Sequence, residues 1–105
     1  MKMRKINIDQ RLKDVYNAIG KNVLRLRGLM EQEELAIKAG VSRQTVGSIE
    51  LGRPISLGSL IRIADALGVE PADLFLTDTD RQEVSHKTKM IVRKMADLLG
   101  VDGKK

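Results

Sequence analysis

The 105-residue chain has no cysteine and no tryptophan, one tyrosine, one phenylalanine, two prolines and a single histidine. Without cysteine neither a disulfide nor a thiolate metal site can form, and a reducing compartment is the expected setting. The lone His86 has no cysteine partner, so no zinc-ligand spacing exists. Aromatics make up 2% of a chain that is 42% hydrophobic, so the core must be Leu, Ile, Val, Met and Ala. That composition suits small packed helices better than a sheet. No apolar run approaches the ~20 residues of a membrane span, and the start MKMRKINIDQR lacks the apolar stretch of a secretory leader. A soluble cytoplasmic protein without membrane contact is expected. Glycine-rich phosphate cradles are missing too, because the nine glycines stand as helix stops or isolated positions. Carboxylates such as Glu33, Glu34 and Asp65 lie where helix surfaces normally carry charge. Neither catalysis, a cofactor nor a metal is expected.

What is present is positive charge, unevenly spread. The net charge of +5 divides into +6 over residues 1–27, −3 over 28–76 and +2 over 77–105. A basic balance favours an anionic partner such as nucleic acid. Here the flanks carry it and the middle is acidic.

Periodicity organises the chain into helices. Residues 1–8 read as a basic arm with Lys2, Arg4 and Lys5. Asp9 can cap a helix from about Gln10 to Arg27, whose stripe Leu12, Tyr16, Ile19, Val23 and Leu26 steps by four and three. Gln32 to Gly52 then reads as helix, tight turn and helix. Leu35, Ala36 and Ala39 face inward on the first helix, Val46 and Ile49 on the second. Gly40 sits where the first helix must stop, and Ser42 can cap the second, which runs from Arg43 to about Leu51. Pro54 prevents continuation. Ser56 can cap a helix through Leu57, Leu60, Ile63, Ala64 and Leu67, and Pro71 fits the first turn of a short fifth helix ending at Phe75. Thr77 to Asp80 reads as a polar hinge, with Thr79 or Asp80 capping a last helix through about Leu99. Its stripe is Val84, Thr88, Ile91, Met95 and Leu98, widened by Met90, Val92 and Leu99. That helix either folds back on its own domain or forms a seam with a second chain. VDGKK is a frayed end.

The run GLMEQEELAIKAGVSRQTVGSIELGRPISLGSLIRIADALGVEPADLF resembles the Cro/phage-repressor helix-turn-helix domain of xenobiotic-response-element-type regulators, from about Ile19 to Phe75. The resemblance implies an all-α fold: a compact five-helix lambda-repressor-like DNA-binding domain over residues 9–76, with an additional C-terminal amphipathic helix in 77–105 as a possible dimerisation element. It implies that the third helix enters the DNA major groove. Arg43, Gln44, Gly47 and Ser48 match the positions that meet bases; Gln32 and Ser42, with Thr45 and Arg53 as weaker candidates, match phosphate-anchoring positions. Side chains at 43, 44, 47 and 48 project opposite Val46 and Ile49. Arg43 can bond guanine O6 and N7, and Gln44 adenine N6 and N7. Glu50 is read as structural, paired with Arg27 across the contact of helices one and three. Counting back from Gln32 would choose Arg25 instead, whereas Arg27 keeps Leu26 in the core. Glu31 stands where the family usually has Ser, Thr or Asn, and the link between the first two helices is about two residues short.

The expected function is therefore a sequence-specific double-stranded DNA-binding regulator, a repressor rather than an activator, acting as a homodimer on a palindromic operator. The alternative is an antitoxin or adaptor whose helix over residues 81–99 binds a partner protein.

Overall fold

The computed structural model describes residues 7–100, and of Glu83, Val84 and Ser85 only the backbone. The arm residues Lys2, Arg4 and Lys5, the VDGKK end and the side chain of Val84 lie outside that description. All regular structure among the described residues is helical: α1 (Ile8–Arg27), α2 (Gln32–Ala39), α3 (Arg43–Glu50), α4 (Leu57–Leu67), a 3-10 helix (Pro71–Phe75) and α5 (Asp78–Leu98). Against the sequence reading, α1 begins two residues early, because Asn7 and not Asp9 caps it by accepting from the Gln10 N–H at 3.1 Å. The fifth helix of the domain is a 3-10 turn with Pro71 at its start.

The core is aliphatic, as an aromatic-poor chain requires. Ile19 and Val23 of α1, Leu35, Ala36 and Ala39 of α2, Val46 and Ile49 of α3, Leu60, Ile63 and Ala64 of α4, and Leu74 form one buried cluster. The alanines let α2 lie close to α3 and α4. Leu12 departs from its predicted stripe and is exposed, because the first turns of α1 run past the body. Gly20 makes the closest approach to another helix's backbone. A Cβ there would lie 2.5 Å from the Ile49 carbonyl oxygen, so only glycine lets α1 pack onto the end of α3.

Of Thr77 to Asp80 only Thr77 lies outside α5, and it caps the helix in place of Thr79 or Asp80. The Thr77 hydroxyl accepts from the Asp80 N–H and the Asp80 carboxylate accepts from the Thr77 N–H, both at 3.1 Å, so a capping box starts α5 at once. Those hydrogen bonds hold the Asp80 carboxyl below its ordinary range. α5 then leaves the body: the radius of gyration is 18.5 Å, against about 13 Å for a compact domain of ~100 residues. It does not fold back over the core, and Met90, Ile91, Val92, Met95, Leu98 and Leu99 all remain exposed.

Candidate nucleic-acid interface

The turn between α2 and α3 sets the geometry. Gly40 takes φ 71°, a left-handed conformation that costs glycine nothing and other residues about 1–2 kcal/mol. The reversal lets the Val41 N–H donate back to the Ala36 carbonyl at 3.0 Å. One residue later, the Ser42 hydroxyl accepts from the Thr45 N–H at 3.0 Å and opens α3. Val46 and Ile49 are then drawn into the core, which fixes how α3 is rotated.

That rotation turns Arg43, Gln44, Gly47 and Ser48 outward. They line one open hollow together with Gln32 from the start of α2 and Arg53 from just beyond α3. Six of the eight predicted nucleic-acid contacts thus share one surface. Arg43, Gln44 and Arg53 are exposed, while Gly47 and Ser48 are half-buried at its floor. Ser42 and Thr45 border a neighbouring hollow. Their hydroxyls lie 2.8 Å apart and share one hydrogen bond, so the pair keeps a single hydroxyl hydrogen for any outside acceptor.

Behind this surface stands an ion pair. Arg27 Nε donates to Glu50 Oε2 at 2.5 Å and Nη2 donates to Oε1 at 3.0 Å, a two-pronged contact. Arg25 is exposed and takes no part. Burial pushes the Glu50 carboxyl upward, but the hydrogen bonds from Arg27 and Gln32, with the charge of Arg27, outweigh it and hold it below its ordinary value. The Glu50 hydrogen bond in turn raises the Arg27 pKa. Arg27 Nη1 also donates to the Met30 carbonyl at 2.7 Å, and the Met30 N–H returns to the Arg27 carbonyl at 2.8 Å. Those two bonds close the short link between α1 and α2.

Gln32 belongs to the same network, which the sequence reading did not foresee. Its Nε2 donates to Glu50 Oε1 at 2.8 Å, so the amide is held in place and one N–H remains free. Asn22 was also missed. It is fully buried, and its Nδ2 donates to the carbonyls of Leu74 at 2.7 Å and Leu76 at 2.8 Å. Its place beside Val23 on α1 was the available signal, since a polar residue there needs partners. His86 is exposed on α5, and no cluster of acidic or histidine side chains fit for a metal ion occurs among the described residues. None of the described helices is long and apolar enough to cross a membrane.

Comparison with known proteins agrees with this fold. The helix-turn-helix family matches residues 24–74. An uncharacterized HTH-type transcriptional regulator of Methanocaldococcus jannaschii is 44% identical over 52 residues, which are 49% of this chain and 79% of the relative. The crystal structure of a hypothetical transcription factor, NHTF, from Neisseria superposes with a TM-score of 0.65 at 30% identity, over 70% of this chain and 86% of that one. The chain belongs to the helix-turn-helix family of Cro and phage-repressor-type transcriptional regulators.

Proposed function

We propose that this protein is a sequence-specific double-stranded DNA-binding repressor that works as a homodimer, with α3 in the major groove. The observation that carries the reading is the shared outward surface of Arg43, Gln44, Gly47, Ser48, Gln32 and Arg53. Arg43 and Gln44 are long, exposed and suited to bidentate contacts with guanine and adenine. Gly47 leaves the middle of the surface without a side chain, so the helix backbone can approach a base-pair edge. Gln32, held by Glu50, points its free N–H from a helix N-terminus toward a phosphate, and Arg53 supplies a cation beside it. The remaining hydroxyl hydrogen of the Ser42–Thr45 pair serves a second phosphate.

Dimerisation falls to α5. Ile91, Met95 and Leu98 are 57%, 55% and 86% exposed and recur at steps of four and three, the spacing of a helix seam. A second copy of the same stripe fits it because a two-fold interface is self-complementary. Two α3 helices about one turn of DNA apart, ~34 Å, then read a palindrome. Such a complex blocks a promoter by occupying it.

Selection from a random duplex pool should recover two inverted half-sites. Arg43→Ala combined with Gln44→Ala should weaken binding to the selected site by roughly 30-fold or more, since each bidentate pair discriminates by about 1–3 kcal/mol. Full affinity in that double variant would sink the assignment of α3 as the reading helix.

A further inference from the structure

The direction in which α5 leaves the body hangs on one polar knot. Asn22, the one fully buried polar side chain among the described residues, is fixed by the carbonyls of Leu74 and Leu76. Its remaining acceptor, Oδ1, receives Arg81 Nη1 at 2.6 Å. The same guanidinium donates through Nη2 to Asp78 at 2.7 Å and, at 3.4 Å, through Nη1 to the Leu76 carbonyl. Arg81 is thus a clamp on three sides: its own helix, the strand-like link at Leu76, and α1. Leu76 and Thr77 are extended, and the capping box starts α5 immediately after them, so no slack separates the knot from the helix. Beyond the knot, α5 has no extended packing against the rest of the molecule among the described residues.

A lever of this kind magnifies its pivot. α5 has 21 residues, a length of roughly 30 Å at 1.5 Å per residue. A 10° turn at Arg81 therefore displaces its far end by about 5 Å, more than the ~3.4 Å rise of one base pair. We propose that Arg81 is a positioning residue that sets operator spacing. By holding α5 at a fixed angle to α1 through Asn22, it fixes the separation of the two α3 helices and hence the number of base pairs between half-sites. This inference rests on the reading of α5 as the dimer seam and α3 as the reading helix. The guanidinium fork is what the task needs, since a lysine offers one point of charge and cannot hold Asn22 and Asp78 in a fixed plane.

The test uses the full-length protein and synthetic duplexes carrying the selected half-sites with the spacer lengthened or shortened by one and two base pairs. Wild type should prefer one spacer by at least tenfold. Arg81→Ala should reduce that preference to about threefold or less. Its dimerisation in sedimentation velocity and its affinity for a single half-site should stay within about twofold of wild type. Arg81→Lys provides the same readout with the charge and the aliphatic stem retained, should the alanine variant lose its fold. Spacer preference that stays sharp in both variants overturns the role of Arg81 while leaving the dimeric reader intact. A monomeric wild type, or one that selects a single undivided half-site, overturns the dimeric reading and this inference with it.

Discussion

At the scale of single residues, the candidate interface depends on a largely buried ion pair at its floor. Glu50 accepts from Arg27 at two oxygens and from Gln32 at one, so it couples the α1–α3 contact to the side chain proposed to meet a phosphate. Glu50→Gln removes the negative charge and turns one acceptor into a donor facing at least one other donor. At neutral pH the loss should be about 1–3 kcal/mol of stability, the usual cost of a buried group left without its partner. The pH dependence has a definite sign. The native Glu50 carboxyl lies below its ordinary value of 4.5, so the unfolded chain takes up the proton first as pH falls. The stabilisation is complete above about pH 4.5 and declines as pH drops through the native value. Urea unfolding of wild type and Glu50→Gln across a pH series should show a gap that is constant above that range and closes below it. A gap that persists unchanged into strong acid would mean that Glu50 is not held as a carboxylate.

Elements were more legible in the sequence than the contacts between them. The end of α2 and the starts of α3 and α4 follow from Gly40, Ser42 and Ser56, each of which acts through local backbone chemistry within a few residues. The links to Asn22 and Arg81 span 52 to 59 residues, and nothing in periodicity reports a hydrogen bond at that range. Gly20 shows the same limit: the sequence marks a glycine inside a helix, but only the packed α3 shows why a Cβ is forbidden. The Thr77–Asp80 run was misread because its polar residues fit a loop as well as a capping box. At Gly47 the fold and the proposed function make separate demands within one element. A Cβ there would meet only the Gln32 amide, at 3.9 Å, so the fold has room for alanine. Gly47→Ala should raise stability by about 0.8–1 kcal/mol through helix propensity, seen as a higher Tm, and weaken operator binding several-fold by holding the backbone away from the groove. Unchanged binding alongside the higher Tm would remove Gly47 from the reading surface.

Across the whole molecule, charge and assembly have to cooperate. Residues 28–76, which contain α2, α3 and α4, carry a net charge of −3, so the chain's excess positive charge lies outside the helix-turn-helix. Residues 1–27 carry +6, and a dimer doubles that contribution along one duplex. In the proposed dimer each protomer would add its own set of phosphate contacts, and each such contact releases counterions. The slope of log affinity against log salt therefore counts protomers as well as contacts. Ile91→Glu with Met95→Glu places charge in the exposed stripe of α5 while keeping good helix formers there. The variant should sediment as a monomer at concentrations where wild type is dimeric. Thermal stability of the body should change by less than about 0.5 kcal/mol, because both positions are exposed in the single chain. On the selected palindrome its affinity should fall to that of a single half-site, and its salt slope to about half the wild-type value. A monomer that kept the full slope would mean that one copy already makes every phosphate contact, and α5 would then be free to serve another partner protein.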